Sequence, residues 1–160
     1  MLSQFPRGAL WSGVVATWAP TSFENDAASD WFNGVEEAVD PGATISSALD
    51  HALAEAEYLD LDPAREAIAA AELAACCAGQ PPERLPDNVR RWTLTHPHRP
   101  HDSEMDQAID AVSRVRAESR LRDFWREAGE HQERAWLDEL DALVSRLQQS
   151  GVGSPPTLSP

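Results

Sequence analysis

Lysine is missing from this chain: all 13 basic residues are arginine. Together with the alanine and proline content, that bias points to a high-GC bacterial genome. Basic residues are scarce as a class, 13 against 27 carboxylates, which leaves a formal net charge of −14. A nucleic-acid binder needs a basic footprint to release counterions, so no nucleic-acid partner is expected. Cysteine is limited to Cys76 and Cys77. As sequence neighbours they sit too close for ordinary disulfide geometry, and they read as small buried thiols suited to a reducing cytoplasm. Apolar runs are short, none approaching the roughly eighteen residues that a spanning helix needs, so no membrane partner is expected. No segment alternates with period two over a useful length, which argues against a sheet. P-loop, dinucleotide-fingerprint, C-x-x-C and Ser-His-Asp patterns are all missing, and no cofactor is implied.

What is present reads as helix. At 160 residues, with 42% apolar and 25% charged side chains, the chain is long enough for one domain with a real core. Asn25 or Asp26 offers an N-cap for a first helix with Trp31, Val35 and Val39 on its face, closed by Asp40-Pro41-Gly42. A second helix is expected over about 44–59, with Ile45, Ala48, Leu49, Ala52, Leu53 and Ala56 on one side. Asp62-Pro63 opens a third, whose face of Ala67, Ile68, Ala71, Ala74 and Ala75 suits close helix approach. Its alanines make it the expected centre of the fold, and Gly79 with Pro81-Pro82 stops it. Shorter helices follow, one with Val89 and Trp92, one capped by Asp102 or Ser103 with Met105, Ala108, Ile109, Val112 and Val115, and one with Leu121, Phe124, Trp125 and Ala128. The last helix carries Trp136, Leu137, Leu140, Leu143, Val144 and Leu147 at three- and four-residue spacings. The expected architecture is all-α: a single compact domain of about six or seven helices, with an aromatic N-terminal loop.

The ends stand apart from that domain. Arg7 followed by the apolar residues 8–15 faintly resembles a signal peptide. Trp11, Ser12 and Gly13 break the run, however, and no A-x-A cleavage pattern follows. Residues 1–15 are therefore read as an extension, with Val14 or Val15 an alternative start from a GTG codon. The domain is expected over 16–149, and the Gly/Ser/Pro-rich residues 150–160 as a disordered tail.

Charge is unevenly distributed. Residues 24–83 carry fourteen carboxylates against Arg65 alone, a net of −13, whereas residues 84–160 carry thirteen against eleven arginines, a net of −2. Either the arginines of the second half neutralise the first half on folding, or the acidic surface is kept for a basic partner.

One stretch has the density of a signature: residues 18–31, W-A-P-T-S-F-E-N-D-A-A-S-D-W. It resembles the opening of the bacterial family known as domain of unknown function 4259, whose members begin W-G-x-G-x-F-x-N-D-x-x-x-D-W. Trp18, Phe23, Asn25, Asp26, Asp30 and Trp31 fit that pattern. Ala19 and Thr21 stand where glycines are usual, with one extra residue before Phe23. Tyr58-Leu59-Asp60-Leu61-Asp62, the A-A-A-E run ending at Glu72, His96-Pro97, Phe124-Trp125-Arg126-Glu127-Ala128-Gly129 and Trp136 are also similar to the family. The resemblance covers about residues 16–147 and implies no activity.

Candidate chemistry is thin. His96, His98 and His101 could take zinc beside Asp102 or Glu104, but the flanking prolines and the lack of a matching ligand pair favour a connector. Glu72 lies within the alanine-rich helix. If inward, it needs a cation, expected from an arginine between Arg114 and Arg126, and otherwise could act as an acid or base. Asn25, Asp26 and Asp30 read as caps over packed Trp18, Phe23 and Trp31, or as the polar rim of a binding site. Six tryptophans exceed what a small core requires, so some are expected as interface anchors. The leading expectation is a non-enzymatic cytoplasmic module, of immunity or antitoxin type in one form, that engages a basic protein. The alternative is a small hydrolase or ligand-binding enzyme using Glu72 or the 18–31 loop. The sequence leaves the oligomeric state open.

Overall fold

Seven helices account for about three-quarters of the described chain, and no strand forms among those residues. The computed structural model describes residues 21–96 and 99–152, with side chains through Gln149. In chain order the helices are α1 (Asp26–Glu37), α2 (Pro41–Ala54), α3 (Leu61–Cys77), α4 (Asp87–Thr95), α5 (Asp102–Ala117), α6 (Arg120–Ala128) and α7 (Glu130–Val152). Residues 1–20, which include the expected extension, lie outside the described residues, as do 153–160 of the expected tail.

The alanine-rich helix is the centre. In α3, Ala64 and every residue from Ala67 to Cys76 are buried, and the helix meets each of the other six. A methyl group on nearly every face lets neighbouring axes approach at the short end of the usual 8–10 Å range. It terminates in a Schellman motif: the Gln80 amide donates to the Ala75 carbonyl at 2.8 Å and the Gly79 amide to Cys76 at 3.0 Å. Gly79 takes φ 88°, a conformation open to glycine at little cost. The helix starts two residues earlier than Asp62-Pro63 suggests, because Asp60 is the cap and accepts from the Leu61 amide at 2.7 Å.

Four other expectations change. On α1 the buried face is Ala28, Phe32 and Val35, spaced by four and three residues, while Trp31 is half-buried and Val39 fully exposed. The helix ends at Glu37, so Val39 falls in the connector. Asp40-Pro41 opens α2 as well as separating it from α1: Asp40 accepts from the Ala43 amide at 3.2 Å and Pro41 occupies the first turn, where a missing N–H costs nothing. That moves α2 forward, so it stops at Ala54 with Leu53 exposed and Ala56 beyond its end. On α5 the N-cap is His101, making no side-chain bond, rather than Asp102 or Ser103. The final helix runs through residues 150–152, which the tail had been expected to include.

The corner between α5 and α6 is tied to the connector between α2 and α3. Arg114 donates to the carbonyls of Glu55 and Glu57 at 3.0 and 2.6 Å, and Tyr58 donates its hydroxyl to Ser119 at 3.2 Å. The Arg120 amide donates to Leu59 at 2.8 Å, forming an isolated parallel bridge between Leu59 and Ser119. Ser119 caps α6 by accepting from the Arg122 amide at 3.0 Å.

Candidate functional site

The described part of the opening signature begins over an aromatic stack. Phe23 is buried and meets Phe32 edge-on at 6.0 Å, Phe32 meets Trp92 edge-on at 5.9 Å, and His96 stacks on Trp92 at 4.7 Å. The core beneath the segment is therefore filled, with Phe32 in the place assigned to Trp31. Asn25 is the α1 cap, accepting from the Ala28 amide at 2.8 Å. Asp26 and Asp30 are exposed, the former in the first turn where its charge suits the helix end. Trp18 lies outside the described residues.

Beside this segment a cleft of about 770 Å³ opens between residues 21–29, the 82–86 loop, Arg90 of α4 and the Glu139, Ala142 and Arg146 stripe of α7, with Glu72 also lining it. Of the sequence candidates, the cleft gathers Phe23, Asn25, Asp26 and Glu72, and leaves Asp30 and Trp31 outside.

Glu72 is 3% exposed and both of its oxygens are occupied. Oε1 accepts from the Ser22 hydroxyl at 3.0 Å and from Arg146 Nη2 at 3.1 Å, and Oε2 accepts from Arg146 Nη1. Arg146 Nη1 also donates to the Gln80 carbonyl at 3.2 Å. The expected inward, paired carboxylate is thus present, but its partner is Arg146 of α7 and not an arginine between Arg114 and Arg126. Those arginines are turned elsewhere. Arg114 holds the α2–α3 connector, and Arg116, Arg120, Arg122 and Arg126 pair with Asp141, Glu127, Glu133 and Asp123. Burial works against the charge of Arg146, but the hydrogen bond and charge of Glu72 more than reverse it, so the guanidinium is held more firmly protonated than usual. This two-pronged pair fastens α3 to α7, and Ser22 joins the opening segment to it.

Glu139, on the same α7 stripe, has the opposite environment. Partial burial, followed by the nearby charge of Glu72, pushes its carboxyl above the ordinary range, and Arg146 and Arg84 only partly offset this. Glu24, Glu83 and Glu139 line the cleft without an ion pair among the described residues. Arg84 of the 82–86 loop and Arg90 of α4 are likewise outside any ion pair among the described residues, with Arg90 donating to the Leu85 carbonyl at 3.3 Å. Sequence reasoning missed Arg146, Glu139 and Arg90. The signal was there for Arg146, a charged residue set among Leu143, Val144 and Leu147 on the apolar side of α7.

His96 has its Nδ1 3.0 Å from the Trp92 carbonyl, and His98 lies outside the described residues. Among the described residues no group of three His, Cys, Asp or Glu side chains is gathered to hold a metal ion. Cys76 is a buried free thiol that burial, then the Glu72 charge, holds far above the usual thiol range; Cys77 is pushed up to about 11, first by burial. Neither is activated as a nucleophile. Trp92, Trp125 and Trp136 are core residues and not surface anchors. Among the described residues no helix is long and apolar enough to cross a membrane.

Comparison with known proteins gives a family and nothing closer. Neither a curated protein nor a solved structure matches the chain. The model of the family described as "Domain of unknown function (DUF4259)" matches residues 16–139, most of the chain and all of the site except Ala142 and Arg146. The chain belongs to the DUF4259 family.

Proposed function

We propose that this protein is a non-enzymatic binding module whose acidic α1–α2 side docks a basic protein partner, an immunity- or antitoxin-like role being one form of that activity. The observation that carries this reading is the placement of Glu36 and Glu37. Both are exposed in the last turn of α1, where the helix end is already negative, and no basic residue shares that turn. Carboxylates there oppose the helix dipole by about 0.3–1 kcal/mol each at low ionic strength, so stability does not account for them. Among the described residues no arginine pairs with them. Arg65, the only arginine of residues 24–83, lies over the Phe124 ring at 5.1 Å. The arginines of α5 and α6 close on carboxylates of α6 and α7 or on connector carbonyls. An uncompensated acidic face steers a basic partner and loses strength with salt.

Affinity capture from native lysate with the whole chain tests this. A partner retained at low salt, released at high salt and lost with the D30N/E36Q/E37Q triple variant is the expected result. A partner indifferent to salt and to the triple variant counts against it.

One observation favours a second reading, a ligand-binding or hydrolytic site: the cleft brings Glu24, Glu72, Glu83 and Glu139 to its lining. Its weakness is that Glu72, the intended acid or base, already accepts donors at both oxygens.

A further inference from the structure

The cleft and the acidic face of α1 are continuous. Asn25, Asp26 and Ser29 line the cleft at the helix start. From there Asp26, Asp30, Asn33 and Glu37 follow at spacings of four, three and four residues, all exposed, so they form one polar stripe leading away from it. At 1.5 Å per residue the stripe runs roughly 16 Å, which an extended segment of about five residues spans.

The cleft is also chemically asymmetric in a way the buried pair explains. Arg146 is committed to Glu72, so that carboxylate offers little to an incoming cation. Glu24, Glu83 and Glu139 line the cleft with no ion pair among the described residues. Arg84 and Arg90 also line the cleft and supply guanidinium N–H groups suited to the backbone carbonyls of an extended chain. The volume, about 770 Å³, exceeds that of any single side chain and falls in the range of ligand-sized pockets.

We propose that this cleft is the anchor pocket of the docking surface: it receives one arginine or lysine side chain of the basic partner, whose segment then runs along the Asp26–Asp30–Asn33–Glu37 stripe of α1. The pocket assignment rests on the reading of the acidic half as a protein-binding face. It adds to that reading a location, a polarity and a mode, in which a cation enters among Glu24, Glu83 and Glu139 and the segment's carbonyls meet Arg84 and Arg90.

The test is calorimetric titration of the full chain with a nona-arginine peptide at low ionic strength, using variants that separate the pocket from bulk charge. E83Q/E139Q removes two pocket charges. D106N/D110N removes two exposed charges on α5, away from both surfaces. Ala142 is exposed at the cleft, so A142W places a large ring at the pocket without changing charge. E83Q/E139Q and A142W are each expected to weaken binding about tenfold, the effect of losing one anchoring contact, with D106N/D110N changing it less than twofold. If A142W binds as the native chain does, or if E83Q/E139Q and D106N/D110N weaken binding equally, the pocket is overturned while the acidic-face reading stands. Failure of the peptide to bind the native chain at low salt overturns both. Far-ultraviolet circular dichroism and melting of A142W separate a blocked pocket from a disturbed fold, and E83Q/E139Q decides alone if A142W is destabilised.

Discussion

Arg116, Arg120, Arg122 and Arg126 each close on a carboxylate of α6 or α7, whereas Asp30, Glu36 and Glu37 of α1 face solvent with no ion pair among the described residues. Both regions are rich in charge, but only the C-terminal one uses it to join its own helices. Arg146–Glu72 crosses between them, and it does so in the interior. Net charge by stretch is therefore a poor guide to how charge is spent: the −2 of the second half reflects local pairing, and the −13 of the first half is mostly left to the solvent.

The largest break in this comparison comes from the crossing pair. Arg146→Met leaves Glu72 buried without its cation, which should cost about 3–5 kcal/mol, read as a lower urea midpoint at unchanged slope. The double variant Glu72→Leu/Arg146→Met should recover most of that loss, because an apolar pair of similar volume avoids the desolvation cost. Phe32→Ala tests the acidic helix by its apolar side, with an expected loss of about 3–5 kcal/mol for a buried aromatic. Trp31→Ala, half-buried beside it, should cost distinctly less in the same urea titration; the reverse order would restore the Trp31 face expected from sequence.

Smaller effects sharpen the contrast. E36Q/E37Q should raise stability at low ionic strength by about 0.3–1 kcal/mol per charge removed, with the gain shrinking as salt is added. Glu139→Gln should act with a defined sign in pH. The folded carboxyl titrates above the unfolded one, so its ionisation opposes folding: there is no penalty below the unfolded value, and it grows as pH rises through the folded one. Melting curves should thus show the variant gaining on the native chain as pH rises from the ordinary carboxylate range towards neutrality, and losing that advantage on acidification. Smallest of all is Arg120→Gln. Its pair with Glu127 is exposed at 3.4 Å, so the unfolding free energy read from the urea titration should change by less than about 1 kcal/mol.

Much of this fold was legible because its signals were local. The alanine run of α3, the Gly79 stop and the leucine spacing of α7 depend on residues a few positions apart, and each element formed where those residues indicated. Asn25 was also readable as a cap. The misreadings came where two neighbours competed for one role. Trp31 and Phe32 both fit a helical stripe, and the buried position went to the residue in phase with Ala28 and Val35. Asp40-Pro41 looked like punctuation and is also a helix start, since one Asp-Pro pair can end one helix and cap the next. The site was less legible for a different reason. Glu72 could be identified as a buried carboxylate from its alanine surroundings, but Arg146 stands seventy-four residues away, and no local pattern carries a pairing over that distance. The cleft is assembled from segments distant in sequence, so Glu139 and Arg90 acquire meaning only after folding. The family match fixes membership and leaves activity open.

The bridge between Leu59 and Ser119 has a dynamic corollary. Arg120 is exposed and opens a helix, where amides ordinarily exchange with solvent freely, yet its N–H is held 2.8 Å from the Leu59 carbonyl. Arg114 and Tyr58 fasten the same two connectors from either side. The Arg120 amide is therefore a single-proton probe of the contact between the α2–α3 and α5–α6 corners, and its exchange slows to the extent that this contact holds.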